Sequence, residues 1–324
     1  MLSEKIINMP KIDLHCHLDG SLPLTCVQEL YGKSVTIQDL QVSEDCRNLA
    51  EYLEKFDLPL ECLQTAENLK KASKAFLTDL PKDRLSYVEV RFAPLLHAHA
   101  QLNCHQILEA VIEGLEEGKK ETGIFYNVIA CAMRHHSQEE SMEMFKTARE
   151  FLGKGLCAVD LAGNEAAFPM KNFEELFAYA RVLELPATIH AGECGSVENI
   201  IDSVNAGAAR IGHGIALRGN KEAIELCKAK NIGIEMCPIS NMQTKAVADP
   251  AEYPIREFLD AGLKVTLNTD NRTVSNSTLE KEMAFVQKHY GVTDEELWKM
   301  TENAIEVSFA NDDVKQMLWK KLNG

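Results

Sequence analysis

Eight short apolar segments recur along the chain, and longer segments with apolar residues at helical spacing lie between them. Most of the eight are continuous apolar runs rather than alternating ones, which is typical of parallel strands covered on both faces. The predicted strands are residues 11–17, 87–94, 124–133, 156–163, 186–192, 210–217, 232–240 and 264–270. The predicted helices include residues 104–123, 172–185 and 220–233, and Gly123 is the predicted C-terminal cap of the first.

The alternation of eight strands with helices predicts an α/β fold, the (β/α)8 TIM barrel. A doubly wound open sheet is the alternative, but the count of eight and the lack of a glycine-rich dinucleotide loop after the first strand favour the barrel. The longest interval follows the first strand, so residues 20–80 are predicted to carry extra helices near the barrel mouth. Segment 278–322 is predicted to be helical and to close the fold. We expect residues 1–324 to form this single barrel domain.

Charge and composition restrict the partners of the chain. Its 34 Lys and Arg residues against 49 Asp and Glu residues give a net charge of −15, which disfavours nucleic acid and anionic membrane surfaces but not a small neutral substrate. The N-terminal segment has no apolar core of a signal peptide, and no apolar run approaches the roughly 20 residues that span a bilayer. We therefore expect a cytoplasmic protein. The 10 scattered cysteines, without a CxxC motif, predict reduced and mostly buried thiols. The oligomeric state stays open.

Four of the predicted strands end in polar side chains that could do chemistry. In a TIM barrel the carboxyl ends of the strands meet at one face, where active sites lie. The four clusters are His15-Cys16-His17, His190-Ala191-Gly192-Glu193, Gly212-His213-Gly214 and Thr269-Asp270-Asn271. Each cluster falls where its strand stops being apolar, and this coincidence indicates a site more strongly than any single motif does.

The histidines at the ends of the first and fifth strands are candidate metal ligands. His15 and His17 can point the same way on a strand and chelate one ion, although two hydrogen-bonded core histidines are the alternative. His190 and Asp270 at neighbouring strand ends favour the metal. Three neutral imidazoles and one carboxylate suit Zn²⁺ with water at an open position, and zinc lowers the pKa of that water from 15.7 to about 7. No strand ends in a lysine suited to bridging two ions, so we expect one Zn²⁺ per chain.

Three other residues with metal-binding side chains are interpreted as structural or supporting. Cys16 lies between two candidate ligands and is predicted to pack into the opposite layer of the strand. The second HxH motif, His97-Ala98-His99, follows the predicted end of the second strand. These two histidines are predicted to lie in a loop or to support the site indirectly.

Glu193, His213 and Asp270 are the candidate acid–base groups. Glu193 follows His190 closely and could donate a proton to the substrate atom opposite an attacking hydroxide; burial would raise its pKa and keep it protonated. His213, between two glycines that permit close approach, could hold or orient the water. Asp270 could be a metal ligand, a proton acceptor from the water, or both. A solvated loop carboxylate and a structural histidine are the alternatives for Glu193 and His213.

Together these strings resemble the adenosine deaminases of the amidohydrolase superfamily. The strings KIDLHCHLDGSL, HAGE, GHG, CPISN and NTDN occur in this order at the strand ends, and the resemblance extends from residue 10 to about residue 310. It implies a (β/α)8 barrel with one catalytic zinc and the hydrolytic deamination of adenosine to inosine and ammonia in purine salvage. It also implies the zinc ligands His15, His17, His190 and Asp270.

The resemblance further implies contacts with a purine nucleoside. Glu193 would protonate purine N1, and His213 would position the hydroxide that attacks C6. His17 and Asp19 would lie on the substrate side, with Asp19 accepting from ribose hydroxyls, and the backbone N–H of Gly163 would meet purine N3. One departure concerns Asn271, because the family often has a second aspartate there, facing purine N7. An asparagine amide donates a hydrogen bond at any pH, so the substitution is compatible with purine binding.

Several rival functions stay open. A related deaminase could act on adenine, an N6-substituted adenosine or AMP, but relatives that act on the free base usually read HLEGT, whereas this chain has Asp19-Gly20-Ser21. AMP would need cations for its phosphate; Arg47, Lys55, Arg272 and Lys281 cannot be placed from sequence. A metal-dependent hydrolase of another substrate and a non-catalytic barrel are the remaining alternatives.

Segment 45–65 is a candidate lid over the site. Its apolar side chains Leu49, Leu53, Phe56 and Leu58 could cover a purine against water, or simply belong to ordinary helix packing. Asn164, where the family often has aspartate, is interpreted as a supporting residue.

Overall fold

Eight parallel strands form the centre of the molecule. The computed structural model describes residues 2–43, 46, 48–80, 84–100, 102–247 and 249–324, without the side chains of residues 99 and 100. The strands β1 to β8 are Lys11–His17, Leu85–Phe92, Phe125–Met133, Leu156–Ala162, Thr188–Ala191, Arg210–His213, Gly233–Met236 and Lys264–Leu267. They pair in the orders β1-β2-β3-β4 and β5-β6-β7-β8, and every pairing is parallel.

Two seams join these sheets into a closed barrel, as predicted. Between β4 and β5, the backbone N–H of Val159 donates to the carbonyl of Pro186 at 2.9 Å. Between β8 and β1, the N–H of Asp270 donates to the carbonyl of His15 at 2.8 Å, and the N–H of His17 donates to the carbonyl of Asp270 at 2.7 Å. The second seam therefore places Asp270 between the two histidines of the first strand.

The helices follow the predicted pattern closely. In the described part of the chain they are α1 (Glu4–Asn8), α2 (Leu24–Tyr31), α3 (Ile37–Leu40), α4 (Leu49–Leu53), α5 (Asp57–Cys62), α6 (Ala66–Asp79), α7 (Cys104–Thr122), α8 (Gln138–Phe151), α9 (Glu174–Val182), α10 (Val197–Asn205), α11 (Lys221–Ala229), α12 (Pro238–Gln243), α13 (Ile255–Asp260), α14 (Leu279–Tyr290), α15 (Asp294–Val307) and α16 (Asp312–Asn323). The extra helices between the first two strands are α2 to α6, and α14 to α16 form the C-terminal segment. Gly123 caps α7 in the left-handed region, with φ 72°. No helix in these described ranges is both long enough and apolar enough to cross a membrane.

Three predicted strands are too long by three or four residues at their carboxyl ends, and three others by one or two. The seventh ends at Met236, and α12 begins at Pro238, because proline lacks an N–H for a strand ladder but fits the first turn of a helix. The sixth ends at His213, where Gly214 with φ 68° leads into a short 3-10 helix. The eighth ends at Leu267. After the sixth and seventh strands the apolar character continues into buried turn residues such as Ile215 and Cys237, whereas the eighth strand is followed by the buried polar residues 268–270.

Charged side chains fill part of the barrel interior. Arg91, Asp160, Arg210 and Glu235 are fully buried. Arg91 donates to Asp160 at 2.9 Å and to Glu235 at 2.8 Å, and Arg210 donates to Glu235 and Glu89. A buried charge is strongly destabilising without a partner, so each of these groups depends on the others. The network lies directly beneath the carboxyl ends of the strands.

Candidate active site

Four histidine rings and one carboxylate converge at the carboxyl end of the barrel. The ring centroids of His15 and His190 are 4.5 Å apart, those of His15 and His213 are 4.8 Å apart, and those of His17 and His190 are 5.3 Å apart. The Nε2 atoms of His17 and His190 are separated by 3.2 Å. Oδ1 of Asp270 lies 3.5 Å from Nε2 of both His15 and His17. The structure thus brings the predicted ligand residues together from opposite ends of the sequence.

Two buried carboxylates fix the orientation of His15 and His190. Nδ1 of His15 lies 2.8 Å from Oε2 of Glu235, and Nδ1 of His190 lies 2.9 Å from Oδ2 of Asp160. A carboxylate beside Nδ1 favours the proton on that nitrogen and leaves the Nε2 lone pair directed into the cluster. Among the described residues, Nε2 of His15 is buried and has no hydrogen-bond partner. Buried nitrogen atoms of this kind normally have a partner, and a cation would satisfy this one.

The electrostatics of the cluster suit a divalent cation. Burial and the nearby Arg91 guanidinium lower the pKa of His15 to about 4, so its imidazole is neutral near pH 7. Although burial opposes it, the adjacent imidazole of His15, whose Nε2 lies 3.5 Å from Oδ1, keeps the pKa of Asp270 well below its usual value. Burial also lowers the pKa of His17, whereas for His190 the Asp160 carboxylate outweighs burial and raises the pKa. Imidazoles with one ionised carboxylate are the donor set that zinc prefers.

Two groups of buried side chains have ligand atoms within 4.8 Å of one another. They are His15 with His190 and His213, and His15 with Cys237 and Asp270. Burial raises the pKa of the Cys237 thiol well above its usual value, and the thiolate is the form that binds metal. The geometry therefore favours the imidazoles and Asp270 over Cys237.

His213 and Glu193 face one another across the site. Nε2 of His213 lies 3.8 Å from Oε2 of Glu193. Asn241 donates to Nδ1 of His213 at 3.1 Å, and the Tyr253 hydroxyl donates to the Asn241 carbonyl oxygen at 3.2 Å. A neutral His213 therefore carries its proton on Nε2, on the side of Glu193. The Thr244 hydroxyl donates to Glu193 at 3.1 Å, and the Glu193 side chain is 17% exposed, so its expected burial is only partial.

A cavity of about 280 Å³ opens in front of the histidines. Its wall contains the predicted site residues His17, Asp19, Gly163, His190, Glu193, His213, Asp270 and Asn271. His15 is fully buried behind this wall. The remaining lining is mostly apolar, which suits a flat heteroaromatic ring.

Two of the site residues have a strained backbone. The φ angles of His213 and Asp270 are 64° and 58°, in the left-handed region that few residues other than glycine adopt. Such strain persists only where surrounding structure enforces it, and it is common at functional sites. For Asp270, two backbone hydrogen bonds to β1 enforce the conformation: its N–H donates to the carbonyl of His15, and its carbonyl accepts from the N–H of His17.

Comparison with known proteins places the chain in a family. The family model described as adenosine deaminase matches residues 10–324. An adenosine deaminase from Enterococcus faecalis is 41% identical, with 100% of this chain and 98% of that relative covered. The chain belongs to the adenosine deaminase family. The family and the barrel architecture that the sequence predicted are therefore confirmed.

Solved structures share the whole fold of this family member. An N6-mAMP deaminase from Arabidopsis superposes with a TM-score of 0.87 at 26% identity, and 99% of each chain is covered. An amidohydrolase from Burkholderia ambifaria with bound zinc superposes with a TM-score of 0.86 at 19% identity, with 100% of this chain and 96% of that chain covered. At 19% identity the second likeness concerns the fold alone.

The candidate lid is partly as predicted. Leu49, Leu53 and Phe56 line the cavity, but Leu58 instead packs against the barrel core. The reason is that α5 begins at Asp57 and turns Leu58 away from the cavity mouth. Residues 45 and 47 of this segment lie outside the described residues.

His97 of the second HxH motif and Cys16 do not contribute ligands to the histidine cluster. His97 is fully buried, and its Nδ1 lies 3.0 Å from the carbonyl oxygen of Leu63. The side chain of His99 lies outside the described residues. Cys16 is fully buried in the core, with Sγ 3.5 Å from the Ser21 hydroxyl, which agrees with a packing role.

Sequence reasoning missed the residues that hold the site in place. These are Asp160 and Glu235 behind the histidines, Ser240 against Asp270, Asn241 against His213, Thr244 against Glu193, and Glu165 beneath the turn that carries Glu193. A signal was present for two of them: Asp160 and Glu235 are single acidic residues within otherwise apolar strands. A charge in such a strand requires a buried partner, which here is a histidine together with Arg91.

Proposed function

We propose that this member of the adenosine deaminase family hydrolyses adenosine to inosine and ammonia and also accepts 2′-deoxyadenosine. The family assignment and the convergence of Glu193, His213 and the histidine cluster on one apolar cavity support the proposal. The observation that carries the choice of a nucleoside is the charge of the cavity wall. Among its described lining residues there are four acidic residues, Asp19, Asp57, Glu193 and Asp270, and no lysine or arginine.

The ion that fits the site is a single Zn²⁺. His15, His17, His190 and Asp270 would hold it, because their nitrogen and oxygen atoms face one another and the buried Nε2 of His15 has no other partner among the described residues. When bound, zinc supplies a water molecule whose pKa is lowered to about 7, and thus a nucleophile at neutral pH. Ser240 donates to Oδ2 of Asp270 at 2.6 Å and fixes the rotation of that carboxylate.

The protein side chains supply the proton transfers. Glu193 is placed to protonate a ring nitrogen of the purine, which draws electrons away from the carbon that is attacked. The Nε2–H of His213 is placed to donate to the attacking oxygen. Asp270, ionised in this environment, can accept the proton that the water gives up. Asp270 would then be both a metal ligand and a base, the two roles that the sequence left open for it.

Other lining groups are placed to recognise the nucleoside. Asp19 is only 6% exposed, and burial raises its pKa to about 6, so near pH 7 it is mostly a carboxylate that can accept from ribose hydroxyls. Gly163 has φ 105° and no side chain, so its backbone can approach the ring edge. Asn271 can donate its amide to an acceptor on the opposite edge.

A 5′-phosphate has no cationic partner among the described groups of the cavity. Lys55 donates to the carbonyl of Gln38, Lys281 donates to Asn276, and Arg272 lies 3.6 Å from Asp13. Arg47 lies outside the described residues. A phosphate would meet the carboxylates of Asp19 and Asp57 instead, so AMP is disfavoured relative to adenosine.

The decisive experiment compares substrates with the purified protein. We expect the ultraviolet absorbance of adenosine to fall as inosine forms, with ammonia released in equal amount, and we expect a chelator to abolish the reaction and zinc to restore it. Elemental analysis should give one zinc per chain. Faster ammonia release from AMP or adenine, or faster release of the substituted amine from an N6-substituted adenosine, would replace the proposed substrate. Turnover that survives full metal removal would overturn the metal site.

A further inference from the structure

The turn that carries Glu193 wraps around one buried carboxylate, that of Glu165. The backbone N–H of Gly192 donates to its Oε1 at 2.5 Å, and the N–H groups of Glu193 and Cys194 donate to its Oε2 at 3.1 and 3.4 Å. The Asn199 amide donates to Oε1 at 2.9 Å. Glu165 is 5% exposed, so these four donors replace its hydration shell.

We propose that Glu165 is a positioning residue for the proton donor Glu193. This inference rests on the proposed role of Glu193 and adds the group that holds it in place. The turn contains Gly192 and Gly195, with φ 81° and 88°, and two glycines leave a short segment with wide conformational freedom. Three consecutive N–H groups aimed at one carboxylate remove that freedom at the position from which the Glu193 side chain extends.

The segment is also held from its other side. Arg134 donates through Nη2 to the carbonyl of His190 at 2.8 Å and through Nη1 to the carbonyl of Phe168. A buried cation therefore fixes the strand end before the turn, and a buried anion fixes the turn itself. With both ends of the segment held, the Glu193 carboxylate can only rotate about its own side-chain bonds, and Thr244 restricts that rotation.

Glu165 also links two sides of the cavity. It lies on the loop that leaves β4, two residues after Gly163, whereas Glu193 lies on the loop that leaves β5. One side chain thus fixes the spacing between the backbone of Gly163 and the acid at Glu193. A displacement of about 1 Å at a proton donor can lower the rate on the order of 10²-fold, so we expect a change in this spacing to slow the reaction.

Glu165→Gln is the substitution that separates positioning from simple space filling. The amide keeps the shape of the side chain, but each oxygen of Glu165 now faces two donors, so the NH₂ group must meet N–H groups in either orientation. We expect kcat for adenosine to fall about 10- to 100-fold, while KM changes by less than about 3-fold and the zinc content is unchanged.

A double-mutant cycle with Glu193→Gln separates positioning of the acid from a purely structural role, because it measures whether the loss of kcat in Glu165→Gln depends on Glu193. If Glu165 acts through Glu193, adding Glu165→Gln to Glu193→Gln should lower kcat by less than about 2-fold, because the positioned proton is already missing. Independent losses that multiply in the double variant would overturn the proposal. A wild-type protein that deaminates a different purine would refute the proposed substrate, while the cycle measured on that purine would still decide the role of Glu165.

Two further variants show whether a loss of kcat comes from lower stability rather than from lost positioning of Glu193. Phe145→Leu removes volume from a fully buried site in α8 on the outside of the barrel, and it should lower the thermal midpoint without lowering kcat. Asn199→Ala removes one of the four donors to Glu165, together with the acceptor for the backbone N–H of Met170. We expect a smaller loss of kcat that again disappears in the Glu193→Gln background. An equal loss of kcat in Phe145→Leu at a matched midpoint, or a loss in Asn199→Ala that persists in the Glu193→Gln background, would overturn positioning through Glu193.

Discussion

Oε2 of Glu235 lies 2.8 Å from Nδ1 of His15, and both side chains are fully buried. The pair connects the ionic interior of the barrel with the proposed metal site, because the same oxygen accepts from Arg91 at 2.8 Å. Glu235 therefore determines which nitrogen of His15 bears the proton. The orientation of the ring is fixed before any ion binds.

The first prediction is that Glu235→Gln weakens zinc binding. The NH₂ group of the amide must face a donor in either orientation, because Oε2 now accepts from His15 and Arg91 and Oε1 accepts from Arg210. The hold on the tautomer and orientation of the His15 ring is therefore weakened. We expect the dissociation constant for zinc to rise about 10- to 100-fold, which is typical when a partner of a ligating histidine is lost. Competition with a chelating dye measures it.

A matched control for this substitution is Glu306→Gln, which removes an ion pair with Lys264 at 2.7 Å whose side chains are partly exposed. It should leave zinc affinity unchanged. Because Glu235 also pairs with Arg210, its substitution should lower the thermal midpoint as well. Unchanged zinc affinity in a folded Glu235→Gln protein would show that the carboxylate does not orient the ligand.

The sequence predicts the barrel and the converging side chains because both follow from local pattern. The apolar runs define the strands, and the polar residues at their ends must meet wherever parallel strands close into a ring. His15 and Asp270 are therefore predictable as neighbours despite their distance along the chain. The same reasoning cannot find Glu165, since nothing in a loop sequence shows that its carboxylate will accept from three backbone N–H groups of another loop.

Strand ends were the least predictable feature. Apolar character continues from Met236 into the turn at Cys237, because the turn is buried beneath α12, so hydrophobicity alone cannot mark where hydrogen bonding to the neighbouring strand stops. Leu58 in the candidate lid shows again that hydrophobicity alone does not determine where a side chain packs. Its apolar side chain indicates burial, but the direction of burial depends on where α5 begins.

The second prediction concerns Glu193→Gln. The amide retains the size of the side chain and can still meet Thr244, but it has no acidic proton to give to the ring. We expect kcat to fall by roughly 10²- to 10⁴-fold, the usual worth of a general acid, with the zinc content retained. Steady-state kinetics with elemental analysis measures both, and a fully active Glu193→Gln protein would exclude the proposed acid.

The third prediction concerns Asn271, whose side chain lies in the cavity wall and is 3% exposed. A Cβ atom on Gly20 would lie 1.9 Å from its Oδ1, so Gly20 makes room for this amide. Losing one hydrogen bond of about 1 kcal/mol should raise the KM for adenosine about 5-fold in Asn271→Ala. An unchanged KM would show that the amide makes no contact with the purine.

Asn271→Asp provides the comparison for pH. A carboxyl group can donate to a ring acceptor only while it is protonated, and the neighbouring Asp270 charge favours that form. We expect KM of Asn271→Asp to rise as the pH rises through the pKa of the new group, whereas the KM of the wild type should be less dependent on pH over the same range. Parallel pH profiles for the two proteins would contradict this role of the amide.

The fourth prediction is a pH-dependent stability that depends on Glu282. This residue of α14 is fully buried, and burial raises its pKa to about 8 from an ordinary value of 4.5. The Ser277 hydroxyl donates to Oε1 at 2.5 Å, and the N–H of Ile239 donates to Oε2 at 3.0 Å. The folded protein therefore holds a proton at pH values where the unfolded chain has released it.

The direction of this pH dependence follows from the difference in proton binding between the folded and unfolded states. Because the native state binds more protons than the unfolded state between about pH 4.5 and pH 8, this contribution to the free energy of unfolding is complete below that interval and falls as the pH rises through it. Glu282→Gln is permanently neutral and can accept from Ile239 while donating to Ser277. Its thermal midpoint relative to the wild type should therefore increase between pH 5 and pH 9. Glu295→Gln, on an exposed face of α15, should show no such trend, and a constant difference for Glu282→Gln would mean that the wild-type carboxyl group is ionised throughout.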